Sequence, residues 1–171
     1  MSHPQRSSFV LINVTGGIAV LGSYVLWLGN PSNDANALWG SISGAGRALY
    51  AISMLLAAAG YFAFAGFVLR LESDRPAFAW INTLFTLILF PSALWMPLAC
   101  EYLDAPGPAL WWAMRATLAV VGLASLGLVV ALTGRARSEG GYARLAVAGA
   151  AAFTFQTLVL DALIWPLYFA R

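Results

Sequence analysis

Five long apolar stretches, parted by short polar breaks, set the pattern of this chain: 9–28, 47–69, 77–98, 109–133 and 143–169. Each is about 20 residues or more, enough at ~1.5 Å per residue to cross ~30 Å of hydrocarbon. An open strand in lipid would leave backbone groups unpaired, so each stretch is predicted to be a helix. The expected fold class is therefore an all-α integral membrane protein, one five-transmembrane-helix bundle over 1–171. The first stretch follows Arg6 and precedes Ala35-Asn36-Ala37, the outline of a signal peptide. Its apolar core is too long and too far from those small residues, so it is expected to stay in place as a span.

The breaks differ in kind. Residues 29–46 form a long loop that opens Asn30-Pro31-Ser32-Asn33-Asp34 and contains Trp39, whereas 72–76 is a short charged turn. Pro76 stands where a helix would start again. Residues 101–108 are acidic and end Ala105-Pro106-Gly107-Pro108, and 134–141 are basic and glycine-rich. With an odd number of spans, Arg6, Arg70, Arg75, Arg135, Arg137 and Arg144 share one side. Arg47 and Arg171 lie on the other with Asp34, Glu101 and Asp104. That bias predicts a cytoplasmic N-terminus and an external first loop.

Composition sharpens this reading. Only 9% of residues are charged and 61% are hydrophobic, against about 25% charged in soluble domains, which excludes a water-soluble globule. All nine basic residues are arginine, and they form no patch that would track phosphates, so no nucleic-acid partner is expected. The lone Cys100 excludes an internal disulfide, and the lone His3 sits in a polar tail expected to be disordered or a tag remnant. Glu101 and Asp104 lack a third ligand and are expected to solvate their turn, so neither metal nor cofactor is anticipated.

Two charges fall well inside spans, away from their ends. Asp161 is the only charged side chain in 145–169, and Arg115 lies about six residues into the fourth helix. Counted from the first-loop side, both sit ~9–11 Å deep. A buried charge in lipid requires a partner, so an Arg115–Asp161 salt bridge is expected. Trp27, Trp39, Trp95, Trp111, Trp112 and Trp165 collect toward the same side, with Tyr24, Tyr50 and Tyr102, whereas the opposite end carries Phe62, Phe64, Phe67 and Phe78. An interfacial belt explains Trp27 and Trp111, but a belt should mark both interfaces. The asymmetry predicts an aromatic pocket under the first loop. Pro91 and Pro97 are expected to bend the third helix beside Trp95. The segment Gly122-Leu123-Ala124-Ser125-Leu126-Gly127 and the small residues of 146–152 are expected to be close-packing faces, or the seam of a homodimer.

Near the C-terminus the chain reads Leu160-Asp161-Ala162-Leu163-Ile164-Trp165-Pro166-Leu167, and the third span carries Trp95-Met96-Pro97. With Leu49-Tyr50 in the second span and a long first loop, this layout resembles the TspO (translocator, or peripheral benzodiazepine receptor) family. That family has Leu-Asn-x-x-Ile-Trp-x-Leu in its fifth helix and a Trp and Pro in its third. Asp161 stands here for the Asn, and Trp39-Gly40 is a loose counterpart of the family's first-loop motif. The resemblance implies binding of porphyrins, sterols or similar flat hydrophobic molecules, with Trp39, Tyr50, Trp95, Asp161 and Trp165 around the pocket.

The sequence thus points to a membrane binding protein, a sensor or carrier, in which aromatic walls hold a planar apolar ligand and Arg115 or Asp161 orients its polar group. Two other readings stay open. One is an intramembrane isomerase or lipid-modifying enzyme with Asp161 as acid–base and Arg115 or Glu101 assisting. The other is a structural subunit of a membrane complex.

Overall fold

The computed structural model describes residues 3–30, 33–71 and 75–169, apart from the side chains of 3, 4, 75–77 and 136–139. The described residues form helices α1 (His3–Leu28), α2 (Ala45–Arg70), α3 (Arg75–Asp104), α4 (Pro108–Glu139), α5 (Gly141–Thr154) and α6 (Trp165–Tyr168). A 3₁₀ turn (Ala37–Trp39) lies in the first loop, and a π-helix (Phe155–Ile164) joins α5 to α6 into one continuous fifth span. Five helices are long and apolar enough to cross a membrane. The protein is a multi-pass integral membrane protein, an all-α five-helix bundle.

The helices outrun the apolar stretches that predicted them. α1 begins at His3, so the described polar residues at the N-terminus are helical, not a trailing tail. α3 continues through Pro91 and Pro97 to Asp104, and α4 continues to Glu139, which shortens the breaks to the residues around Gly107 and Gly140. An α-helix satisfies its own backbone in lipid and in water alike, so hydropathy marks only the lipid-crossing part of it. Six hydroxyls within the spans are satisfied by the same geometry. Thr15, Thr83, Thr86, Ser92, Thr117 and Thr133 each donate to the carbonyl four residues back.

The order of packing is α1, α3, α4, fifth span, α2. α1 is peripheral, with 11% of its membrane window buried against 33–39% for the others. It meets α2 through Tyr61, whose hydroxyl donates to Asn13 Oδ1, and through Arg6 Nη2, which donates to Leu69 O at 2.6 Å. Lipid tails are as apolar as the side chains they touch, so the helices are held by close packing more than by hydrophobic transfer. Gly60 of α2 and Gly149 of α5 show this. A Cβ on Gly149 would lie 2.8 Å from the Gly60 Cα, so only hydrogen fits there. Ala146 and Ala150 beside it are buried in the same way, and Gly122 abuts Leu158. The small-residue faces are thus occupied within the chain.

Two cores result. Toward the end bearing Arg6, Arg70 and Arg144, Phe9, Phe64, Phe67, Phe78 and Phe85 interlock, Phe9 meeting Phe85 edge-to-face at 4.7 Å. Phe62 faces outward instead, as does Trp80. Toward the first-loop end, Ile42, Tyr50, Met114, Leu118, Leu160, Trp165 and Phe169 form a second core. This second core carries the polar groups discussed next.

Candidate functional site

The site is built on the π-helix. In an α-helix each residue turns ~100°, so residues five apart lie about 140° from each other. The wider i→i+5 winding brings them onto one face. Gln156 Nε2 therefore reaches Asp161 Oδ1 at 2.8 Å. At the end of the π segment Trp165 N–H donates to Leu160 O, five residues back. The wide turns end immediately before Pro166, whose ring would press on the carbonyl four residues back in a regular α-helix. Thr157 of the same segment pairs with Ser125 Oγ of α4 at 2.9 Å, which fixes the rotation of the fifth span.

Around the Asp161 end of this segment stand groups from α1, α2 and α3. The Tyr50 hydroxyl of α2 donates to Leu160 O at 2.7 Å. Tyr24 of α1 and Tyr50 both lie within Coulombic range of Asp161. The Tyr24 ring meets the Trp95 ring of α3 at 6.1 Å, Trp95 meets Trp165 edge-on at 5.5 Å, and Trp165 stacks on Phe169 at 4.1 Å. Buried Trp95 Nε1 and Gln156 Oε1 have no protein partner, a departure from the usual satisfaction of buried polar atoms. Asp161 itself is intermediate in exposure.

The first loop forms the roof. Trp165 Nε1 donates to Leu38 O at 2.8 Å, and Ser41 N–H donates to Tyr168 O at 3.0 Å. Gly40, at φ +52, lets the loop backbone lie against the end of the fifth span, where a Cβ would come within 2.8 Å of Phe169 Cα. Trp39 packs edge-on against Tyr50 at 6.0 Å and carries the Arg47 guanidinium 5.5 Å from its ring centre. Arg47 Nε also donates to Ile42 O at 2.8 Å, tying the loop to the start of α2.

Five of the six candidate residues, Trp39, Tyr50, Trp95, Asp161 and Trp165, thus share one neighbourhood. Arg115 does not. Its guanidinium lies over the Trp111 and Trp112 rings, at 5.8 and 5.7 Å, and lines a groove with Tyr102, Pro166 and Phe169 instead. The expected Arg115–Asp161 salt bridge is not made. The depths match, each residue lying seven positions from its helix end at about 10 Å, but the two side chains leave their helices in different directions. Trp111, expected in a lipid-facing belt, is half-buried against Tyr102 at 5.6 Å. Sequence reasoning left out Gln156, whose partnership with Asp161 exists only through the π winding, and it placed Tyr24 only among the aromatics of that side.

Compared with protein families, with characterised proteins and with solved structures, the chain has no significant match to any of them.

Proposed function

We propose that this is a membrane binding protein, a sensor or carrier, that holds a planar hydrophobic ligand of the porphyrin or sterol class under its first loop. The observation that carries this reading is Asp161, an intramembrane carboxylate with no ion-pair partner among the described residues, steadied by Gln156 and near Tyr24 and Tyr50, with Trp95 packed between Tyr24 and Trp165. Intramembrane ionisable groups mark functional sites by default. A ligand bearing an amine, hydroxyl or protonated acid would give Asp161 a partner, and aromatic faces suit a flat ring system. The orphan donor on Trp95 and acceptor on Gln156 add hydrogen-bonding capacity that the bundle leaves unused.

The TspO resemblance supports the same ligand class, since Trp39, Tyr50, Trp95, Asp161 and Trp165 are the positions it nominates. We place the N-terminus in the cytoplasm on the arginine bias, with the roofed site toward the opposite face. Binding is favoured over catalysis because a single carboxylate has no second acid or base beyond the two tyrosines.

Tryptophan fluorescence of the detergent-solubilised chain, titrated with porphyrins, sterols and bilins, tests the reading. A bound porphyrin or bilin, which absorbs across tryptophan emission, should quench strongly, and a bound sterol should displace it and relieve the quenching. Trp95→Phe and Trp165→Phe should each weaken ligand affinity about tenfold, the loss of ~1.4 kcal/mol of contact, whereas Trp111→Phe should leave it unchanged. Absence of saturable quenching across the panel, or equal effects at all three tryptophans, would refute it.

A further inference from the structure

Arg115 lines a separate groove of about 540 Å³, open to the outside of the bundle where α4 meets the last turn of the fifth span. One wall is Pro108, Trp111 and Arg115, which share a stripe of α4 at spacings of three and four residues. Opposite stand Pro166, Leu167 and Phe169, and Tyr102 with Gly107 closes the end. Among the described residues, no carboxylate lines the groove. The guanidinium reaches back toward the start of α4, over rings three and four residues earlier, so its charge sits about one turn nearer the surface than its own Cα. That is the level of a phospholipid headgroup in a membrane spanned by α4. The start of α4 adds to the positive field, with Gly107 making no side-chain cap and no acid in the first turn.

From this geometry we infer that the groove is a binding site for an anionic phospholipid of the surrounding bilayer, its phosphate on Arg115 and an acyl chain along Leu167 and Phe169. Charge decides the headgroup. A guanidinium with no acid beside it favours a lipid of net negative charge over a zwitterion, whose own ammonium competes for the phosphate. Position decides the source. Leu167 is 52% exposed and continues the groove into the lipid-facing surface, which a soluble anion has no use for. A second copy of the chain seated on the same face would bring two Arg115 cations together with no acid between them.

The experiment is a lipid titration of the delipidated full chain in neutral detergent, read as the rise in its thermal midpoint, which grows with free ligand over Kd. Phosphatidylglycerol should bind at least tenfold more tightly than phosphatidylcholine. Arg115→Gln should reduce that preference to within twofold, and Arg115→Lys should restore most of it. Leu167→Trp, which fills the groove from an exposed position and leaves Arg115 intact, should weaken both lipids. It keeps the test decisive if Arg115→Gln does not fold. Glycerol phosphate at the same concentration should not compete. Equal binding of the two lipids by the unaltered chain, a preference that survives Arg115→Gln, unchanged affinity in Leu167→Trp, or full competition by glycerol phosphate would each overturn the assignment.

Discussion

If Arg115 lines the groove and is not paired with Asp161, removing both should cost the sum of removing each. Arg115→Met gives up two partly exposed cation–π contacts with Trp111 and Trp112, at about 0.5–1 kcal/mol apiece, and regains some of that as apolar contact. Asp161→Asn keeps an acceptor for Gln156 Nε2 but turns a charge-assisted hydrogen bond into a neutral one, a loss of about 1 kcal/mol. Taking a charge out of the membrane interior offsets part of it. Each single change should therefore cost about 1 kcal/mol, and the coupling between them should stay below ~0.5 kcal/mol. A buried ion pair behaves otherwise: each single change strands a charge, at ~3–5 kcal/mol, and the double change relieves most of the damage. The assay is the thermal unfolding of the unaltered chain, both single variants and the double variant in one detergent. A double variant more stable than the additive sum by ~2 kcal/mol or more would show that the two charges are paired, and the facing assigned to α4 would be wrong.

Gly60→Ala should destabilise the bundle by about 1–3 kcal/mol, the usual cost of overpacking, because its Cβ meets the backbone of Gly149 and not a movable side chain. Gly22→Ala, with nothing near its Cβ, serves as the neutral control in the same melt, and equal effects would refute the α2–α5 crossing. Gly40→Ala should undock the first loop, seen as faster proteolysis within 33–44 than in the unaltered chain, since a Cβ there is strained at φ +52 and collides with Phe169. Unchanged protection would mean the roof is not held by this contact. In a Cys100→Ala background, cysteines at Asp34 and Asp104 should label from one side of the membrane and a cysteine at Gly141 only from the other. Labelling of Asp34 and Gly141 from the same side would end the five-span arrangement.

What the sequence determined by itself was local and additive. Helix number, approximate spans and membrane class follow from apolar length alone, because lipid demands internally paired backbone wherever the chain crosses it. The depth of Asp161 and Arg115 was legible for the same reason, since rise per residue depends on nothing beyond the helix itself. So was the crowding of Trp39, Trp95 and Trp165 toward one end. Rotation about each helix axis was not legible. It depends on which faces interlock, as when Gly60 meets Gly149 and Ser125 meets Thr157, and those are contacts between distant parts of the chain. Rotation is what separates Arg115 from Asp161 at equal depth and brings Trp95 against Trp165. The π-helix of Phe155–Ile164 shifts the angular register again. Read at α spacing, Gln156 and Asp161 lie about 140° apart; only the wider turn sets them side by side, and with them the polar centre of the site.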